Sequence, residues 1–338
     1  MYIGLTYDLR SEYLAQGFNE HETAEFDRDD TIDSLENALN QLGHKTDRIG
    51  NLHNLNERLV RGDQWDIVFN IAEGLHGIGR EAQVPAILDA YAIPYTFSDP
   101  LVMSLTLHKG MTKRVIRDAG LPTSDFIIVE ELEDVAKVGF DPPFFAKPVA
   151  EGTGKGVSPD SIIRQQKDLH GACKKLLALY HQPVLVERFL AGREFTVGIV
   201  GTGHQAEVLG TIEVHLRQNA EPGVYSYLNK ENCEELVEYR LARAKEEPIV
   251  QEAEAIALQA WQVLGCRDSG RIDLRCDETG RPQFMEVNPI AGLHPEHSDL
   301  PIICMHKGIS YSQLIARIIK SAEQRVRQND FSGNRRCA

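Results

Sequence analysis

At 338 residues, 42% hydrophobic and 25% charged, the chain is long enough to bury a large core spread over roughly two or three domains. Its formal net charge of −14 argues against non-specific binding to nucleic acid or to an anionic membrane, while leaving room for one local basic cluster that meets a nucleotide. The six cysteines form no C-x-x-C pair and have no histidines at zinc-ligand spacing, Met1 leads straight into an apolar run, and no segment reaches the roughly 20 apolar residues of a spanning helix, so a cytoplasmic protein is expected.

In chain order, the first hundred residues alternate between two periods. Tyr2–Tyr7 reads as a strand, Thr31–Leu42 as an amphipathic helix closed by Gly43, Trp65–Asn70 as a buried strand, Glu81–Ala90 as a helix and Ile93–Thr96 as a further strand. This is the pattern of a small parallel α/β domain. The charged stretch Leu9–Asp30 fits neither period and is expected to be a loop over a site or a poorly ordered excursion. A helix over Lys109–Ala119 stops at Gly120 and Pro122. Strands follow at Phe126–Val129, Phe144–Lys147 and Val184–Arg188, with a helix at Lys167–Tyr180. The third region holds strands at Phe195–Val200, Ala206–Val214, Gly270–Arg275 and Gln283–Val287, and helices at Ile249–Leu264 and Tyr311–Val326. The tail from Asn329 to Ala338 is polar and expected to fray.

Three segments carry chemistry. If Gly270–Arg275 and Gln283–Val287 are neighbouring strands, alternation puts Arg271 with Asp273 on one face and Glu286 with Asn288 on one face. Two carboxylates and an amide oxygen are the all-oxygen set that Mg²⁺ prefers, although a solvent-facing strand edge would carry the same residue types. Lys147 closes an apolar strand ahead of Glu151-Gly152-Thr153-Gly154-Lys155-Gly156, where backbone N–H groups can approach a phosphate; the G-K-S/T ending of a Walker loop is absent, and a flexible hairpin reads the same way. Val184–Arg188 delivers Glu187 and then Arg188-Phe189-Leu190, which suits the edge of adenine, with Glu194 placed to accept from a ribose hydroxyl; a charged strand end at the surface is the alternative.

Together these segments resemble the ATP-grasp superfamily and, within it, the D-alanine–D-alanine ligases. Leu75-His76-Gly77-Ile78-Gly79-Arg80-Glu81 resembles that family's His-Gly-x-x-Gly-Glu-Asp, Ile93-Pro94-Tyr95-Thr96 its Pro-Tyr-Thr-Gly, and His108-Lys109 its Asp-Lys. Gly270-Arg271-Ile272-Asp273 is similar to Gly-Arg-Ile-Asp and Glu286-Val287-Asn288 to Glu-x-Asn. The resemblance implies an ATP-grasp α/β fold: an N-terminal parallel α/β domain over residues 1–105, a central subdomain over 106–190 and a C-terminal catalytic subdomain over 191–328, the last two sandwiching ATP, then the tail 329–338. It implies an ATP-dependent carboxylate–amine ligase that works through an acyl phosphate and releases ADP and phosphate. Lys109, Lys147, Glu151, Gly152 and Lys230 would meet the phosphates, Glu187, Arg188, Phe189 and Leu190 the adenine, and Glu194 the ribose. Asp273, Glu286 and Asn288 would hold two Mg²⁺, or Mn²⁺, with Arg271 on the oxyanion and Lys230 and Thr153 as further catalytic groups. Residues His215–Glu231, with Pro222-Gly223 in the middle, would form the lid that keeps water from the acyl phosphate. Gly292, Leu293 and Ser298 would orient the second amino acid, and a homodimer is implied.

The departures from the family pattern lie on the amino-acid side. The N-terminal Gly-Gly-x-Ser-x-Glu signature is missing from Gly4–Glu12, which leaves Asp8 or Glu12 to hold the first substrate's ammonium. Arg80 stands in place of a family residue, an extra Lys155 stands beside Gly154, and, if they face the substrate, the two would favour one with an extra negative charge. The acceptor loop carries His294, Glu296 and His297. A ligase for other amino acids is therefore an alternative, and the fold also supports kinases that phosphorylate a hydroxyl.

Overall fold

The computed structural model describes residues 1–331. The N-terminal part runs β1 (Tyr2–Thr6), α1 (Arg10–Ala15), α2 (Asp29–Gln41), β2 (Lys45–Gly50), α3 (Leu52–Val60), β3 (Ile67–Asn70), α4 (Gln83–Ala90) and α5 (Pro100–Leu107). Its sheet is parallel in the order β2-β1-β3, so the chain crosses from one side of β1 to the other between β2 and β3. Loops leaving the carboxyl ends of β1 and β3 diverge there, which opens a crevice of the kind that parallel sheets use for ligands. The expected strand at Ile93–Thr96 is only a single bridge, Val68 to Tyr95, because Pro94 has no N–H to continue the ladder.

The middle part runs α6 (Lys109–Asp118), β4 (Phe126–Val129), β5 (Phe144–Pro148), β6 (Ile162–Ile163), α7 (Gln166–Tyr180) and β7 (Val184–Arg188). The strands pair antiparallel in the order β4-β7-β5-β6, with Leu169 and Cys173 of α7 in their core. The last part runs β8 (Glu194–Val200), β9 (Glu207–Leu216), α8 (Tyr227–Glu231), α9 (Cys233–Leu236), β10 (Val237–Ala242), α10 (Pro248–Leu264), β11 (Ser269–Cys276), β12 (Pro282–Asn288), α11 (Asp299–His306) and α12 (Tyr311–Phe331). Its five strands are antiparallel in the order β10-β9-β8-β11-β12.

Apolar positions of α10 recur at helical spacing (Val250, Ala253, Ala257, Ala260, Trp261, Leu264) and bury against Ile272, Leu274, Phe284 and Val287. The other face of the sheet meets α11 and α12, whose Leu300, Ile303, Leu314 and Ile318 share one core with Ile3, Leu5, Leu35 and Leu39 of the parallel sheet and α2. That shared core ties the first and last parts of the chain together. Helix α12 runs past Val326 to Phe331, so the expected tail begins inside a helix, and its remainder lies outside the described residues. No helix among the described residues is long and apolar enough to cross a membrane.

Candidate active site

The bulge in β12 sets the chemistry of the third sheet. Arg271 pairs with Asn288 and Asp273 with Glu286, but the register then slips so that Leu274 faces Phe284. Without that slip Phe284 and Glu286 would share a face; with it, Phe284 and Val287 enter the α10 core while Glu286 and Asn288 join Arg271 and Asp273 on the other side. All four expected polar residues therefore come together. Asp273 accepts from Thr196 Oγ1 at 2.9 Å and from Asn288 Nδ2 at 3.3 Å, and Arg271 Nε lies 3.3 Å from Asp299 and 3.5 Å from Asp273. Burial, aided by the neighbouring Glu286 and Asp299 and opposed by Arg271, lifts the Asp273 carboxyl to about 6. Two carboxylates directly across a ladder repel each other, so this donor set fits a hard cation that would bind both.

Lysines face this wall. Lys147 Nζ lies 3.4 Å from Glu286 and 3.4 Å from Glu187, and Lys109 Nζ lies 3.8 Å from Glu286 and donates to the Glu151 carbonyl. Burial alone would raise the Glu286 carboxyl, but Lys147 and Lys109 outweigh it and hold it well below the usual carboxylate range. Lys230, on α8, sits over the Tyr225 ring at 4.8 Å. The expected lid is shorter than His215–Glu231, because His215 and Leu216 still belong to β9.

Two cavities meet here. A small one of about 60 Å³ is lined by Lys147, Lys155, Glu194, Asp273 and Arg275, and a larger one of about 460 Å³ by Arg271, Asn288, Thr153, Gly292 and Ser298; they share Lys109, Glu151, Lys230 and Glu286. A Cβ on Gly292 would come within 2.7 Å of Ser298 Oγ, so only glycine lets the loop close there, and Ser298 Oγ accepts from the His294 N–H at 3.0 Å. The His294 and His297 rings lie tilted against each other with centroids 4.3 Å apart and reach Asp30 and Glu234, each at 3.2 Å, which moors the loop.

The expectations for Glu187, Leu293 and Glu12 are corrected. The Glu187 carboxylate does not lie open to an adenine edge: it is buried against Lys113, Ser124 and Lys147, and although burial would raise it, the two ammonium groups hold it down to about 2. Arg188 reaches Asp125 at 3.3 Å, Phe189 stacks on Phe145, and Leu190 is buried, while Glu194 pairs with Arg275 at 3.3 Å. Leu293 belongs to the apolar core and does not line either cavity. Glu12 is exposed on α1 and lines neither cavity, and Asp8 is occupied by Tyr13 Oη at 2.5 Å and the Gly74 N–H at 2.8 Å. The stretch Leu9–Asp30 is ordered: Arg10 N–H bonds Asp27 O at 2.9 Å and Asp27 N–H bonds Asp8 O at 3.0 Å.

That stretch supplies what sequence reasoning missed. Glu25 accepts from Arg80 at 2.6 Å and from the Gly152 N–H at 2.8 Å, and Lys155 pairs with Glu151 at 2.6 Å and Glu25 at 3.6 Å. Arg80 and Lys155 are therefore already neutralised and do not favour an acidic substrate. The signal was present in Thr23-Ala24-Glu25, which matches the Ser-x-Glu half of the missing signature, displaced downstream by the inserted residues.

The architecture is an ATP-grasp fold, and the family match and relatives that follow make the protein an ATP-dependent ligase that forms a C–N bond. The solved D-alanine–D-alanine ligase from Bacillus anthracis complexed with ATP superposes with a TM-score of 0.73 over 98% of this chain and 99% of its own, at 20% identity. A family model described as the D-ala D-ala ligase C-terminus matches residues 115–320. The D-alanine–D-alanine ligase of Bordetella petrii is 33% identical over 75% of this chain and 75% of its own, and the uncharacterized protein y4sG of Sinorhizobium fredii is 33% identical over 89% and 90%. The chain belongs to the D-alanine–D-alanine ligase family.

Proposed function

We propose that the protein joins the carboxylate of one amino acid to the amine of a second through an acyl phosphate, with release of ADP and phosphate. The observation that carries this reading is the alignment of Arg271, Asp273, Glu286 and Asn288 on one face, opposite Lys109 and Lys147, at the junction of the two cavities. ATP lies between the middle and last sheets, where the smaller cavity marks part of its path, with Glu194 at the ribose, the Arg188–Leu190 backbone at the adenine, and Glu187 acting through Lys147, which it orients. Lys109, Lys147 and Lys230, with the backbone of Glu151-Gly152-Thr153, neutralise the triphosphate and align it with the attacking carboxylate. Asp273, Glu286 and Asn288 would hold Mg²⁺, which supplies further charge neutralisation at the β- and γ-phosphates. When the amine attacks the acyl carbon, Arg271 stabilises the oxyanion and the amine's proton leaves to solvent or phosphate. Gly292 and Ser298 shape the seat of the second amino acid. This reading assigns the cytoplasm, where ATP is supplied and thiols such as the five buried free cysteines among the described residues stay reduced.

The test is ADP release with Mg²⁺-ATP over pairs of D- and L-amino acids, with products read by mass spectrometry. ADP release that needs two amino acids and yields a peptide is expected. ADP release with a stable phosphorylated product from a single substrate would overturn the reading in favour of a kinase.

A further inference from the structure

The larger cavity lies at the carboxyl ends of β1 and β3, and its wall is acidic. Among the lining side chains carboxylates outnumber lysine and arginine ten to four. Some of that excess is accounted for: Glu286 faces lysines, Glu151 and Glu25 pair with Lys155 and Arg80, and Asp299 pairs with Arg271. Glu231 lies 3.7 Å from Arg10, Glu234 meets His297, and Glu235 is exposed to water. Three further carboxylates, all at least partly buried, are not accounted for. Asp27 follows the α1 excursion, Glu73 lies on the loop after β3, and Glu81 sits just before α4; all three line the cavity, and none makes a side-chain hydrogen bond or ion pair with a described residue. Arg28, next to Asp27, is exposed at the rim and forms no ion pair with it. Hydroxyls on the same wall are also free of partners. Thr31, in the first turn of α2, is 2% exposed and its Oγ1 bonds no described group, and the buried Thr153 Oγ1 likewise has none.

A wall with this many open acceptors selects by charge. A ligand with a second carboxylate would be repelled, and an apolar side chain would leave the carboxylates desolvated and unpaired. The α-ammonium of a neutral amino acid satisfies one carboxylate and leaves two. Glu73 is pushed up by burial and then by Glu81 and Glu25 against the pull of Arg80, and Glu81 is pushed by burial to about 7 against Arg80 and Lys109.

We infer that the cavity's amino-acid substrate carries a second cationic group, an ammonium or guanidinium, received by Asp27, Glu73 and Glu81 with Thr31 as an additional acceptor. This rests on the ligase reading above and narrows its substrate from any amino acid to a diamino or guanidino one.

Titration calorimetry in the presence of Mg²⁺-ADP tests it with both enantiomers of lysine, ornithine and arginine against alanine and glutamate. The cationic amino acids are expected to bind at least about tenfold tighter than alanine, with glutamate weakest, one lost charge pair being worth roughly a factor of ten. Glu73→Gln and Glu81→Gln are expected to draw the lysine-to-alanine affinity ratio toward one. Both variants remove an unpaired desolvated charge, so their thermal midpoints should not fall, which separates lost recognition from lost folding. Lysine binding no tighter than alanine, or a ratio unchanged in both variants, overturns the inference. ADP release measured beside it judges the ligase reading alone: charge-selective binding without turnover by any pair rejects that reading and upholds this one. Efficient turnover of alanine with no preference for lysine does the reverse.

Discussion

Arg271 stands between two carboxylates, 3.3 Å from Asp299 and 3.5 Å from Asp273, in a place that water barely reaches. Replacing it with methionine strands both acids, and breaking a buried pair from one side costs about 3–5 kcal/mol. Replacing Asp273 with asparagine has the opposite sign for stability, because it removes one of two like charges that face each other across the β11–β12 ladder. Both variants should lose turnover, Arg271→Met by about 10²–10³-fold, the loss typical of removing one oxyanion donor. Urea denaturation beside ADP release separates them: Arg271→Met is expected to be destabilised and Asp273→Asn not. An Arg271→Met protein as stable as the parent would refute the ion-pair account. These four polar residues were legible in the sequence because strand alternation at spacing two places them, whereas Lys113 was not. On α6 it reads as one more solvated helix lysine, and only the packing of α6 on β4, the neighbour of β7, brings it to Glu187.

At the level of elements, the glycine-rich loop and the segment expected to form the lid are in contact. Gly154 has φ +77°, and a Cβ there would lie 3.0 Å from the Tyr227 backbone N and 3.3 Å from the Ser226 carbonyl carbon. Tyr227 opens α8, which carries Lys230, so Gly154→Ala pushes the helix that aims the lysine. A shift of about 1 Å at a catalytic group can cost roughly 10²-fold in rate. The variant is therefore expected to keep its fold by circular dichroism while ADP release falls at least about tenfold; unchanged release would show that loop and lid do not act together. Among the elements that sequence periodicity found are the long or centrally buried ones: α2, α7, α10, β5 and β7. Several of those it missed share a cause. β2 (KTDRIG) and β10 (VEYRLA) are edge strands with charged faces, and α5 (PLVMSLTL) and α11 (DLPIICMH) are apolar nearly all round, so neither kind shows the period of its structure. The β12 bulge was equally invisible, since a one-residue slip depends on what each face packs against.

Across the whole molecule, the larger cavity gathers residues from Ala24 to Asp299, so its lining is a product of all three sheets and no local pattern could assemble it. What was legible was the strand-borne constellation of Arg271, Asp273, Glu286 and Asn288, with Lys147 closing its own strand opposite. The amino-acid side was not, because the Leu9–Asp30 excursion has no period and is held by a few backbone bonds to the ends of β1 and α2. That excursion has a thermodynamic signature. Burial, with Asp8 adding to it, raises Asp27 to about 8 from an ordinary value of 3.8, and burial raises Glu81 to about 7 from 4.5. A carboxyl with a raised native pKa holds its proton when folded over a range where the unfolded chain has lost it. The native state therefore binds more protons between about pH 4 and pH 8, and the contribution of these groups to stability falls as pH rises through that window. Carboxylates held low, such as Glu187 and Glu286, act the other way, but their unfolded counterparts are already ionised above about pH 5, so they do not shape the slope from there upward. His44 and His108, lowered by burial, add an opposing rise near pH 6. The difference between proteins isolates the acids: the Asp27→Asn, Glu73→Gln, Glu81→Gln triple variant should gain on the parent in urea midpoint steadily from pH 5 to pH 8. Parallel profiles across that range would mean that these carboxyls titrate as they do in water, and that the cavity wall is not the low-dielectric surface its burial implies.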